Sequence, residues 1–149
     1  MKHSAKIISR ILVLIQFVIL ILLLITGDFI AGSVAGGISQ SFGIFLGIWS
    51  VIAMSNSKLS VFPLPRNGAK LITHGPYRTI RHPMYTSLFL IFTPLVAMYF
   101  SWLRVILLII LFITLWIKMT FEEKRLIEKF DDQYREYQKK TWQIIPFIF

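Results

Sequence analysis

Hydrophobic positions along this chain gather into long runs separated by short polar breaks. Residues 7–26 are apolar apart from Ser9, Arg10, Gln16 and Thr26, and about 20 such residues suffice to cross a bilayer core. Gly27 and Asp28 end that run. A second run covers residues 29–54, its start loosened by Gly32, Ser33, Gly36 and Gly37. The pairs Gly32/Gly36 and Gly43/Gly47 have the small-xxx-small spacing that lets helices approach closely. Between residue 84 and Lys118 there is then a single charge, Arg104. That stretch is too long for one span and divides into spans at about 84–100 and 103–120, joined by a hairpin over residues 99–104. Pro94 removes a backbone hydrogen bond inside the third span and should kink it. Tyr99 and Trp102 suit the membrane interface.

Two polar segments remain. Residues 56–82 carry Pro63, Pro65, Gly68, Gly75 and Pro76 as punctuation, and Asn67-Gly68 marks a turn. Beyond residue 120 the fourth run continues without a breaker into a charged segment. There Ile127, Phe130, Tyr134 and Tyr137 recur at three- and four-residue steps, the stripe of an amphipathic helix over about 121–140. This helix would lie on the membrane face or fold back on the central loop. The pattern as a whole predicts an all-α integral membrane protein: one membrane domain, 1–149, of about four transmembrane helices, with a loop at 66–85 and a C-terminal juxtamembrane helix.

Charge then orients the helices. With the N-terminus inside, fifteen of the sixteen Lys and Arg residues fall on the inner side and only Arg104 on the outer. So lopsided a distribution predicts both termini and the central loop in the cytoplasm, and explains the +9 balance without nucleic acid. No small-x-small cleavage site follows the first run, so it reads as a retained span. Mean hydropathy of +0.70 agrees with a membrane chain. The chain has no Cys, which removes disulfides, thiolate metal sites and thiol nucleophiles. His74 and His82 lie eight apart with no carboxylate between them, so no metal-ligand spacing is present. Phosphate-binding glycine loops and a Ser-His-Asp pattern are likewise missing.

Chemistry is concentrated in residues 71–85, where two arginines, two histidines and two tyrosines fall together. His82-Pro83 reads as a helix start, with Pro at the first helical position. The helix N-terminus beside Arg78, Arg81 and His82 suits a carboxylate or phosphate. Equally, the arginines could meet lipid headgroups and His82 merely cap the helix. A second group is Lys118, Glu122 and Glu123. Lys118 and Glu122 share a helix face one turn apart, and Glu123 is turned about a hundred degrees away. A plain i,i+4 ion pair is one reading; a carboxylate for an amino group or ribose hydroxyl is the other.

Gly75-Pro76-Tyr77-Arg78, Arg81-His82-Pro83-Met84-Tyr85 and, well downstream, Glu122-Glu123 with Leu126, Phe130, Tyr134 and Tyr137 form a pattern that resembles the isoprenylcysteine carboxyl methyltransferase family. It is similar, more loosely, to membrane phospholipid N-methyltransferases. The match covers roughly residues 68–146. The resemblance implies a helical membrane enzyme using S-adenosylmethionine. It points to Lys70, Leu71, Ile72, Tyr77, His82, Pro83, Met84, Tyr85 and Glu122 as cofactor contacts. Lys118 stands where that family has a substrate-side arginine. A positive anchor at Lys118, helped by Arg81, would hold a carboxylate acceptor, and Glu123 is a weak candidate base for an amine. Ser87 and Asp131 replace glycines of the family pattern, and Thr141-Trp142-Gln143 replaces its Val-Pro-Arg-like ending.

The expected function is therefore methyl transfer from S-adenosylmethionine to a lipidic or isoprenoid-like acceptor delivered through the bilayer, carboxyl O-methylation being favoured. The alternatives are an NADPH-dependent membrane reductase of related architecture and a non-enzymatic protein that binds anionic lipid.

Overall fold

The computed structural model describes residues 2–55 and 71–146, with side chains described from residue 7 onward. Its elements are α1 (Lys2–Ile25), α2 (Val34–Ser55), a 3₁₀ turn at Gly75–Arg78, α3 (Pro83–Met98), α4 (Trp102–Phe130) and α5 (Asp132–Lys139). No strand occurs among the described residues. The expected Asn67-Gly68 turn and Lys70 lie outside them.

Ile7–Ile25, α2 and α4 are long and apolar enough to cross a membrane, and α3 is a shorter apolar helix. At 1.5 Å per residue, its 16 residues reach about 24 Å, against ~30 Å of hydrocarbon. Side chains such as Leu14, Phe17, Ile38, Phe45 and Ile113 are at least half exposed along these helices, as lipid-facing residues should be. The protein is an all-helical, multi-pass membrane protein.

Helix α2 starts several residues after the apolar run does. Ser33 Oγ accepts a hydrogen bond from the Gly36 amide at 3.1 Å, a side-chain cap that fixes the start. The preceding loop is held by Gln40, which accepts from the Ala31 amide at 3.1 Å and donates to the Phe29 carbonyl at 2.6 Å. The first five residues of the expected span are thus a loop folded against the helix.

Glycine then sets the helix packing. A Cβ on Gly43 would press to 2.9 Å from Leu90 and Ile91 and 3.0 Å from the Ser87 carbonyl. One on Gly47 would meet Ser87 Oγ at 3.1 Å, and one on Gly36 would reach Pro94. Glycines rising along α2 face residues descending along α3, so the two helices run antiparallel at close range. Ser39 Oγ adds a 2.9 Å hydrogen bond to the Leu90 carbonyl. Helices α1 and α4 form the second antiparallel pair. Leu23, Leu111, Leu115 and Met119 are fully buried in the core the helices share. At the far end of this pair Arg104 is only 1% exposed. Its guanidinium lies where a side chain on residue 27 would be, and it donates to the Tyr99 carbonyl at 3.0 Å. The one basic residue expected on that side is therefore folded into the protein.

The continuous helix expected over 121–140 is broken. Helix α4 ends at Phe130, and Asp131 takes φ = 43°. A Cβ-bearing residue is strained there. The break turns α5 back, so that Gln138 Nε2 reaches Glu123 Oε2 at 2.8 Å. In a straight helix those residues would lie about 22 Å apart. Removing the Cβ should relieve the strain: Asp131→Gly is expected to raise stability by about 1 kcal/mol. Unfolding midpoints in detergent check this, and a lower midpoint would count against a strained Asp131.

Candidate active site where the loop meets the tail

The central loop and the tail join through the backbone. Ile80 and Trp142 form a parallel bridge. The Arg81 amide donates to the Trp142 carbonyl at 2.7 Å, and the His82 amide to the Gln143 carbonyl at 3.1 Å. These two donors of the loop are thereby used by the tail. His82 caps α3 through its own carbonyl, which accepts from the amides of Tyr85 and Thr86, and Pro83 occupies the first helical position as expected. Gly75 opens the 3₁₀ turn with φ = 61°, a conformation glycine adopts without strain. The fold-back on the loop is the second of the two placements the amphipathic stripe allowed.

Below this seam lies a connected set of polar side chains. Arg81 Nε donates to Glu123 Oε1 at 2.8 Å, and Nη1 donates to the carbonyls of Gln138, at 3.2 Å, and Thr141. His82 Nε2 lies 3.2 Å from the same Glu123 oxygen, and Nδ1 lies 3.6 Å from Glu122 Oε2. The Tyr85 hydroxyl donates to Glu122 Oε1 at 2.6 Å, and its ring stacks on His82 with 5.5 Å between centroids. Lys118 is 1% exposed. Its ammonium donates to Gln16 Oε1 at 2.9 Å and sits 5.0 Å from the centre of the Tyr85 ring. That contact gives the cation an aromatic face to rest on.

Tyr77 belongs to the same neighbourhood. Burial, with Tyr137 and Glu122 nearby, pushes its phenol well above the ordinary range, so it stays a neutral donor. The Tyr77 carbonyl accepts from the Tyr137 hydroxyl at 2.6 Å. Burial likewise pushes the Tyr134 and Tyr137 phenols up.

Tyr77, His82, Tyr85, Lys118 and Glu122, expected from sequence, are thus brought together. Pro83 is buried and Met84 half-buried on the first turn of α3. Ile72 is buried, and Leu71 lines another pocket, of about 450 Å³, with Arg78, Tyr137 and Lys140. Arg81, expected to assist Lys118, has its guanidinium spent on Glu123 and two tail carbonyls. Glu123, a candidate base, accepts from Arg81, His82 and Gln138. Lys118 and Glu122 do not form the simple i,i+4 pair, since Lys118 turns toward α1. Sequence reasoning gave no place to Gln16 or Gln138. Gln16 had one signal, an amide inside an otherwise apolar span.

An apolar groove of about 930 Å³ follows α3, from Met98 at one end to Thr86 and Ile144 at the other. Phe89, Phe112 and Trp116 line its wall. Thr86 follows Tyr85 in α3 but is turned about a hundred degrees round the helix, and no side chain of the polar cluster lines the groove.

Apolar antiparallel helices enclosing a buried polar cluster near one end define a membrane protein with a candidate site at that end. The phospholipid methyltransferase family model matches residues 31–133, more than half of the chain, and the protein belongs to that family. The matched segment includes the loop motif, Lys118, Glu122 and Glu123, and leaves α1 outside. No curated protein sequence matches the chain.

Proposed function

We propose that this protein methylates a carboxylate at the head of a lipidic acceptor held in the bilayer, with S-adenosylmethionine as donor. The observation that carries this reading is the Lys118 ammonium, buried one helical turn from Glu122 and held by a neutral amide. The residues suit the cofactor. Glu122 accepts from the uncharged Tyr85 hydroxyl and keeps lone pairs for an ammonium or ribose hydroxyls. Tyr77 and His82 add polar groups beside it.

Charge favours an anionic acceptor. Arg81 and Lys118 answer the charges of Glu122 and Glu123. A bound sulfonium donor leaves the site positive, and a carboxylate restores the balance. A carboxylate also reacts without a base. An amine acceptor must first lose a proton, and Glu123 already accepts from three donors. The cofactor supplies an activated methyl on a sulfonium. The protein's share is then to orient the two reactants and to exclude water. Lys118 anchors the acceptor's head, Glu122 and Tyr77 hold the donor, and the groove along α3 receives the apolar chain. Arg81 and Glu123 position the loop. The positive-inside charge pattern supports a cytoplasmic placement of this end of the bundle and of both termini.

The test uses purified protein in vesicles with methyl-labelled S-adenosylmethionine, offered either a carboxyl-bearing isoprenoid thioether or an ethanolamine phospholipid. The expected product is an alkali-labile methyl ester on the first. Alkali-stable label confined to the amine headgroup overturns the carboxylate reading. NADPH-dependent reduction, or anionic-lipid binding without any nucleotide binding, overturns methyl transfer altogether.

A further inference from the structure

Helix α1 lies outside the family match, yet it sends one polar side chain into the site. Gln16 is 7% exposed on the face formed by Ser9, Leu12, Ile19 and Leu23. An amide buried there without a partner is costly; this one is satisfied by Lys118. The geometry has a consequence for Glu122. Lys118 and Glu122 lie on the same helix face four residues apart, where a flexible ammonium and a carboxylate ordinarily pair. Here the ammonium is drawn across to α1 and rests on Tyr85, while Glu122 is held by the Tyr85 hydroxyl. The two charges are close and yet kept apart.

We propose that Gln16 is a positioning residue that holds Lys118 off Glu122, so that both charges remain available to ligands. This rests on the site described under the proposed function. Gln16→Met keeps the side chain's length and removes its polar atoms. The freed ammonium should then swing to Glu122 and neutralise it.

Binding of S-adenosylhomocysteine to the full chain in detergent, followed by calorimetry, is expected to weaken about tenfold in Gln16→Met. The decisive variant adds Lys118→Met. With no ammonium to capture Glu122, affinity should return to within about twofold of Lys118→Met alone. A merely structural role for Gln16 gives a loss that removing Lys118 does not relieve, and that result overturns the proposal. Gln16→Glu preserves the bridge and so should fold and bind the cofactor product normally. It also neutralises the anchor, and KM for the carboxylate acceptor should rise about tenfold with little change in kcat. An unchanged KM there counts equally against the proposal. A separate readout needs no ligand: the Nζ resonance of Lys118, assigned by its loss in Lys118→Met, should shift in Gln16→Met. If the wild type binds no S-adenosylhomocysteine, the functional reading fails, and this resonance still decides the placement of Lys118. A signal unmoved by Gln16→Met overturns it.

Discussion

Replacing Glu123 by Ala is expected to cost the protein about 3 kcal/mol of stability, the largest loss from any single carboxylate in the chain. One of its oxygens accepts from Arg81 and lies within reach of His82, and the other accepts from Gln138. Arg81 and Glu123 side chains are 13% and 14% exposed, so solvent replaces these bonds poorly. Truncation leaves a half-buried guanidinium with only backbone carbonyls as partners, and it unfastens α4 from both loop and tail. The parallel bridge between Ile80 and Trp142 then loses its support. Glu128→Ala is the control, because its pair with Arg125 is half exposed and should be worth less than about 1 kcal/mol. Unfolding in mixed micelles measures both. Equal losses for the two variants would remove Glu123 from its place as the link between loop and tail.

The legible parts of this fold were those written in hydrophobicity and in backbone-restricting residues. The apolar runs predicted α1, α2 and α4, and the length of the apolar stretch between residues 84 and 118 predicted a hairpin, which falls between Met98 and Trp102. Pro83 marked the start of α3 because its missing N–H costs nothing there. The glycines of α2 foretold a close partner, though not that α3 would be it. What stayed hidden depended on partners that no pattern displays. Two of the groups that bind Arg81 are the carbonyls of Gln138 and Thr141, and a backbone oxygen has no signature in sequence. Gln16 stood out as an intramembrane amide, but its partner lies 102 residues away. The stripe from Ile127 to Tyr137 kept helical spacing straight through Asp131, so the turn there was invisible. The one clue was Asp131 standing where the resembling family has glycine, and its positive φ explains that preference.

Glu122 should behave oppositely to its neighbour. Glu122→Gln retains an oxygen for the Tyr85 hydroxyl and nearly the same volume, so the unfolding midpoint should hold. What it loses is the negative charge proposed to meet the donor. A hydrogen bond to a charged group contributes about 1.5–3 kcal/mol, so affinity for S-adenosylhomocysteine should fall roughly 10- to 100-fold. Tyr85→Phe, which removes only the donor that orients the carboxylate, should lose less. Calorimetric titration of both variants beside Glu123→Gln makes the test direct, because adjacent carboxylates are assigned different roles. Glu123 is engaged by three protein groups and should affect stability first. Glu122 accepts a hydrogen bond from one hydroxyl and should affect binding first. Wild-type affinity in Glu122→Gln would show that the donor is not held at this carboxylate, and with it would go the place of Lys118 as the acceptor's anchor. The acceptor's head is assigned to Lys118 because that ammonium lies one helical turn from the carboxylate proposed to hold the donor.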